Sequence, residues 1–143
     1  MSCVLYYDNF DDFIRLNYRY YFKMHGLGIT RANLESLCQE RSVEFTKQDN
    51  RDKLFDKLIE NGMTPTDFYE LFKDQFGANY GDYTKKFNLT RNQLTKLKES
   101  DFFVAVNHYK IKMYGKEVEV PLLCCEQFYS TTKKDIDKIL GRD

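Results

Sequence analysis

Apolar side chains spaced three and four residues apart recur through the first hundred positions, which predicts a series of short amphipathic helices. The first helix would begin after Asn9, a capping residue followed by two acids, and would end at Gly26. Its face is apolar apart from Asn17. Residues 4–7, which precede this helix, fit either a short strand or an ordered tail.

Capping residues predict the starts of further helices. Thr64 is followed by Pro65 and Asp67, and Thr90 is followed by Gln93 three positions on, which is the pattern of a capping box. Two other helices are predicted to start at Thr30 and Thr132. A third would run from the polar loop 46–50 up to Asn61-Gly62, and a fourth would cover residues 82–87.

Strict alternation replaces helical spacing towards the C-terminus. Residues 102–106 form an apolar run typical of a buried strand, and apolar positions then alternate with lysines up to a turn at residues 114–116 and with glutamates after it. Pro121 would end the pairing or mark an edge. We therefore predict a mostly α fold with a C-terminal β-hairpin (α+β), comprising a helical N-terminal half at residues 1–62 and a second half at residues 63–143.

Charge is distributed unevenly along a chain that is neutral as a whole, with twenty-two basic and twenty-two acidic residues. The stretch 83–116 holds eight basic residues against two acidic ones, whereas residues 1–82 carry four negative charges in excess. We call this stretch the basic island, and a cluster of this kind is typical of a surface that binds phosphate groups. Its basic residues are Lys85, Lys86, Arg91, Lys96, Lys98, Lys110, Lys112 and Lys116.

Two short helices around an extended turn, at about residues 30–62, resemble the SAP motif, a module that usually binds DNA. The resemblance rests on apolar positions at matching spacing: Leu34, Cys38, Val43, Leu54 and Leu58. Ser42 stands where the family usually has Gly, and the loop also lacks Gly. The resemblance implies that basic residues of the first helix and loop face DNA, namely Arg31, Arg41, Lys47 and Arg51. A purely structural helical hairpin is the alternative.

The segment from residue 82 to residue 100 has the outline of a helix-turn-helix, in which the second helix enters the major groove. The candidate residues that would contact DNA from this helix are Arg91, Asn92, Gln93, Thr95, Lys96 and Lys98. Arg, Asn and Gln are the residue types that read guanine and adenine edges. A solvated outer face of an ordinary surface helix is the alternative explanation.

The predicted hairpin directly follows this helix, which is the arrangement of a winged helix. Lys112 and Lys116 would then lie near the wing tip, in reach of backbone phosphate. The alternative is structural, because Lys110 or Lys112 opposite Glu117 or Glu119 would form cross-strand ion pairs.

The N-terminal segment carries more tyrosine than one buried face requires. Tyr6, Tyr7, Arg19 and Tyr20 are therefore candidates for a protein interface, since Tyr and Arg dominate interface energetics. The alternative is that this segment is simply a core helix.

Recognisable catalytic chemistry is absent from the sequence. It has no glycine-rich phosphate loop and no nucleophile elbow, and the spacing of Cys3, Cys38, Cys124, Cys125 and the two histidines does not form a zinc motif. We expect neither an enzyme nor a cofactor or metal. Reduced cysteines, no signal peptide and no long apolar run predict a cytoplasmic protein without membrane contact.

Two function classes remain. The first is a DNA-binding protein, regulatory or replicative, acting on double-stranded DNA. The second is a stoichiometric inhibitor of a host defence or replication enzyme, of the anti-CRISPR or anti-restriction type, with a host protein or a second copy of the chain as partner. The combination resembles accessory proteins carried by bacteriophages and mobile elements of bacteria.

Overall fold

The computed structural model describes residues 4–141, which form eight α-helices and a small antiparallel sheet. The helices are α1 (Phe10–Asn17), α2 (Arg31–Glu40), α3 (Arg51–Glu60), α4 (Pro65–Leu71), α5 (Tyr80–Phe87), α6 (Arg91–Glu99), α7 (Cys125–Ser130) and α8 (Lys133–Leu140). The strands are β1 (Gly77–Ala78), β2 (Ala105–Met113) and β3 (Lys116–Cys124), and two single 3-10 turns cover Val4–Tyr6 and Lys73–Gln75. The mixed α+β class is therefore confirmed.

Side-chain caps define most of the helix starts. The predicted caps at Asn9, Thr30, Thr64, Thr90 and Thr132 each accept a hydrogen bond from a backbone N–H three residues on. Asn50 and Asn79 cap α3 and α5 in the same way. Each cap satisfies an N–H that has no partner within the helix, which is why short helices are sustained here.

The first helix is shorter than predicted, because α1 ends at Asn17 and not at Gly26. Beyond it the chain forms a tight loop in which Phe22 and Leu27 exchange backbone hydrogen bonds of 2.7 and 3.2 Å. The loop closes on Gly28, where φ is +125° and a Cβ would lie 2.7 Å from the carbonyl oxygen of Tyr20. Tyr18, the residue after the last turn of α1, is half-buried, and its ring stacks on Phe68.

The hairpin is present with the predicted turn. Tyr114 and Gly115 both have positive φ, 51° and 76°, as a two-residue turn between twisted strands requires. Strand order is β1-β3-β2, and all pairs are antiparallel. Pro121 does not end the pairing, because β3 continues to Cys124. It lies in β3, the central strand of the sheet, opposite His108 and on a stretch that β1 does not pair with.

The strand predicted at residues 102–106 is wrong in its first half. Strand β2 begins at Ala105, and Phe102 and Phe103 lie before it, with ring centroids 5.9 and 4.9 Å from that of Tyr83. Aromatic packing on the fully buried Tyr83 therefore replaces strand pairing for these two residues.

Buried side chains from both halves of the chain form one hydrophobic cluster. It includes Ile29, Leu34 and Phe55 from the first half and Tyr83 and Phe128 from the second. Cys38 and Cys125 are buried in it with free thiols, Cys124 is half-buried, and Cys3 lies outside the described residues. The division into 1–62 and 63–143 stays a prediction. No helix within residues 4–141 is long and apolar enough to span a membrane.

Candidate nucleic-acid interface

Helices α5 and α6 are joined by a turn with a specific backbone geometry. Asn88 adopts a left-handed conformation (φ 51°), and Leu89 is buried while its N–H donates to the carbonyl oxygen of Thr84 at 3.0 Å. Thr90 then caps α6, accepting from the Gln93 N–H, while the Gln93 side-chain oxygen accepts from the Thr90 N–H at 2.9 Å. This cap fixes the start of α6 and engages the carboxamide oxygen of Gln93.

The first turn of α6 presents polar side chains to solvent. Arg91 and Asn92 are exposed, and within residues 4–141 neither side chain makes a hydrogen bond or an ion pair. The Thr95 hydroxyl donates to the carbonyl oxygen of Arg91 at 3.0 Å. On the opposite face Leu97 is buried and Leu94 half-buried, so α6 is held by its inner side and its outer side is open.

Three lysines of α5 and α6 have partners inside the fold. The Lys96 ammonium donates to the carbonyl oxygen of Leu140, at the negative end of α8, at 3.0 Å. That of Lys98 lies 4.1 Å above the Tyr80 ring. The Lys86 ammonium donates to the Phe128 carbonyl oxygen, and burial lowers its pKa. Lys85 is exposed, so the two neighbouring lysines differ in what they can offer to DNA.

The hairpin lysines are exposed, and one of them is paired across the strands. Lys110 forms an ion pair with Glu117 (3.1 Å), which confirms the predicted cross-strand pairing for that residue. Lys112 lies opposite Glu117 in the register, and Lys116 opens β3 beside the turn. The stem of the hairpin packs on the segments before α5. Asn107 donates to the Asp74 carbonyl oxygen, and the Tyr109 and His25 ring centroids lie 4.6 Å apart.

The helix–extended turn–helix predicted at residues 30–62 is formed by α2 and α3, with Val43 buried between them. Ser42, at the position where the SAP family usually has Gly, adopts φ +56°. Arg41 and Lys47 are exposed, and within the described part of the chain their side chains have no polar partner.

Arg51, expected on the DNA-facing surface, lies elsewhere. Its Nε donates to the Ile29 carbonyl oxygen at 2.7 Å, and its guanidinium stacks on Phe55 at 5.0 Å and on Tyr21 at 5.6 Å. Burial lowers the pKa of Arg51. Arg31 is engaged in the same way, with Glu35 and with the carbonyl oxygens of Thr46 and Asp49. These arginines hold the turn of the module in place.

The N-terminal interface candidates divide into exposed and engaged residues. Tyr6 and Tyr20 are 64% and 45% exposed. Tyr7 is half-buried with its ring edge-on to Phe13, and Arg19 donates to Asp56 at 2.7 Å and to the Tyr18 hydroxyl. Helix α1 belongs to the core, because Phe13 and Ile14 are buried.

Sequence analysis missed a second basic helix beside α6. Helices α6 and α8 pack together, and α8 carries the exposed Lys133, Lys134 and Lys138. The adjacent lysines after the Thr132 cap are visible in the sequence, but the acidic residues around them hide their charge in any local sum. Helix α8 is brought to α6 by packing, and Lys96 contacts its C-terminal end at Leu140, whereas Lys133 and Lys134 lie in its first turn.

Comparisons with known proteins give no further guide to this surface. The chain matches no family model, no curated protein and no solved structure. Across residues 4–141 no three His, Cys, Asp or Glu side chains are grouped so that they could hold a metal ion.

Proposed function

We propose that this protein binds double-stranded DNA, with the first turn of α6 directed at base edges in the major groove. The observation that carries the proposal is the open first turn of α6. Arg91 and Asn92 are exposed there and free of polar partners in the described chain, on a helix whose other face is buried. Arg matches the two acceptors of guanine and Asn matches adenine, so these two side chains would supply sequence preference.

Phosphate contacts would come from the exposed lysines around α6. Lys85, Lys112 and Lys116 were predicted from the sequence, and Lys138, in the last turn of the helix α8 that packs on α6, would join them. Lys86 and Lys96 would contribute less, because their ammonium groups donate to backbone carbonyls. Such contacts position a protein on the duplex without reading its sequence.

The α2–α3 module supports a smaller contribution to DNA binding. Ser42 adopts the backbone conformation that Gly favours at the corresponding position of SAP modules, and Arg41 and Lys47 remain available beside it. Arg51 and Arg31 would act only by holding the module. The biological role that fits is a regulatory or replicative accessory protein of a bacteriophage or mobile element, acting in the host cytoplasm.

An electrophoretic shift series on random-sequence duplex tests the proposal. Binding should weaken steeply between about 50 and 200 mM salt, because each neutralised phosphate releases counterions. The double substitution Arg91→Ala and Asn92→Ala should reduce affinity at least tenfold for a duplex site selected from the random-sequence pool. Lys23→Ala with Thr66→Ala, a charge-matched change at exposed positions outside both helix pairs, should reduce it less than twofold. Absence of any shift at 50 mM salt would remove the proposal.

A second candidate is a protein inhibitor, and exposed aromatic and apolar side chains favour it. Tyr114 at the hairpin tip is 98% exposed and Met24 92%, in addition to Tyr6 and Tyr20. Light scattering on a gel-filtration column would show whether the chain self-associates. A host enzyme retained after nuclease treatment at one-to-one stoichiometry, and lost with Tyr6→Ala and Tyr114→Ala, would support inhibition over DNA binding.

A further inference from the structure

A cavity of about 220 Å³ lies between α1, the loop after it, residues 75–79 and the stem of the hairpin. Six aromatic rings line it: Phe13, Tyr20, Phe22, His25, Phe76 and Tyr109. It is smaller than the usual pocket for a drug-sized ligand, so it would hold a group of the size of one or two fused rings.

No acidic or strongly basic side chain lines this cavity. Its one titratable imidazole, His25, has a pKa lowered by burial, so the ring is neutral at physiological pH. A charged group would lose its hydration here without gaining a partner, so the buried part of any ligand must be neutral.

Two polar groups of this wall lack a hydrogen-bond partner within residues 4–141, the buried His25 Nδ1 and the Asn17 carboxamide. Asn17 is only 7% exposed, and within residues 4–141 its carboxamide makes no hydrogen bond. It is also the polar position on the otherwise apolar face of α1. Because buried polar groups nearly always have a partner, an unpaired amide facing a cavity indicates a ligand or ordered water as that partner.

A second amide lies on the same wall. The Gln75 side-chain oxygen accepts from the Gly28 N–H at 3.1 Å, which leaves its amide nitrogen as a donor. The cavity therefore combines flat aromatic surface with amide donors and one amide acceptor, and none of these groups is charged.

We propose that this cavity binds a neutral nucleobase of the adenine type, with its edge on the Asn17 carboxamide and its faces against the aromatic wall. A carboxamide offers one donor and one acceptor side by side, which pairs with the matching donor and acceptor of adenine. Bases also stack on Phe, Tyr and His rings. The base could be that of a free nucleoside or of a single strand, and the site is independent of DNA binding by α6.

Calorimetric titration of the full chain with adenosine tests the site. Saturable binding is expected, with cytidine and N-acetyltyrosinamide at least tenfold weaker. An oligonucleotide of ten deoxyadenosines distinguishes the two sources. Tighter binding than adenosine would assign the site to a strand, and weaker binding would assign it to a free nucleoside.

Asn17→Leu should weaken adenosine binding at least tenfold, and the melting temperature should not fall because an unpaired buried amide is replaced by an apolar side chain of similar size. Gln39→Leu, the matched change at an exposed position of α2, should leave binding unchanged. Ile111→Trp, which fills the mouth from β2, provides a second loss-of-binding variant should Asn17→Leu fold poorly.

Three results would overturn the proposal. The first is adenosine binding that does not saturate, and the second is tighter binding of N-acetyltyrosinamide than of adenosine. The third is adenosine binding by the Asn17→Leu and Ile111→Trp variants that is as tight as that of the unmodified chain. The second result would assign the cavity to an aromatic side chain of a peptide. None of them bears on Arg91 or Asn92, so the failure of this site and the failure of DNA binding by α6 are separable.

Discussion

Two helix pairs of this chain, α2–α3 and α5–α6, leave their first helix through the same turn. A left-handed residue, Ser42 in one pair and Asn88 in the other, is followed by a buried apolar residue. The N–H of that residue donates to a carbonyl oxygen five positions back, Val43 to Cys38 at 2.8 Å and Leu89 to Thr84 at 3.0 Å. This is the Schellman type of helix end.

The pairs differ in what their arginines do. In α2–α3, Arg31 donates to the carbonyl oxygens of two loop residues between the helices, and Arg51 donates to that of Ile29, which precedes α2. In α5–α6, Arg91 has no such partner within the described residues and remains exposed. Whether a basic residue in such a pattern can contact DNA therefore depends on its partners within the fold. Moving an arginine away from a backbone oxygen costs free energy, because that oxygen loses its hydrogen bond.

The largest effects should come from the buried leucines that anchor each pair. Leu54→Ala in α3 and Leu97→Ala in α6 each empty a fully buried site, so each should lower the free energy of unfolding by about 2–5 kcal/mol. Because both side chains belong to one cluster, urea unfolding followed by circular dichroism should show one transition. Leu16→Ala, at an exposed position, should change stability by less than about 0.5 kcal/mol. Two separate transitions would instead divide the chain into independent halves.

Removing one arginine from each helix pair tests this difference. Arg51→Ala should cost about 1.5–3 kcal/mol of stability, since it removes a charged donor from the Ile29 carbonyl oxygen and a cation from the Phe55 ring. Arg91→Ala should cost less than about 0.5 kcal/mol. DNA affinity, measured by fluorescence anisotropy at a temperature where both variants are folded, should show the reverse order. Equal loss of affinity in both variants would mean that α2–α3 contacts DNA directly.

The local features of both pairs could be predicted from the sequence, whereas their partners could not. Caps such as Thr30 and Thr90 act within three residues, so the sequence contains the whole interaction. The position of Arg51 depends on Ile29 and Tyr21, which lie more than twenty residues away. The spacing of charged residues along the sequence does not predict such a contact.

The end of α1 and the cavity were missed for the same reason. The loop after α1 is tied down at Gly28, whose N–H donates to the Gln75 side chain, almost fifty residues further along the chain. The cavity unites Asn17, Gln75 and Tyr109 from three segments. Asn17 alone was visible beforehand, as a polar residue on an apolar face.

A smaller effect on stability should distinguish glycine substitutions at the two left-handed turn residues, Ser42 and Asn88. Ser42→Gly should raise the free energy of unfolding by roughly 0.5–1 kcal/mol, since Gly relieves a conformation that most L-residues avoid but loses more entropy on folding. Asn88→Gly should change it by less, because Asn tolerates this conformation. Thermal melts of the two variants measure the difference. A loss of stability in Ser42→Gly would show that the Ser side chain itself holds the turn.

The smallest expected effect concerns how the stability of the α2–α3 turn depends on acid pH. The Lys57 ammonium, 2.7 Å from the carboxylate, and the Thr46 N–H hold the pKa of Asp49 below its ordinary value. A carboxyl whose pKa is depressed by folding stabilises the fold above its unfolded-state pKa, and this stabilisation is lost as pH falls through the folded-state pKa. Asp49→Asn should therefore unfold with a shallower loss of stability below about pH 4, near the ordinary carboxyl value. Lys57→Met should reproduce only part of this change, because it leaves the Thr46 N–H bonded to the carboxylate, and the double variant should behave like Asp49→Asn. An acid dependence identical to that of the unmodified chain would show that solvent screens the pair completely.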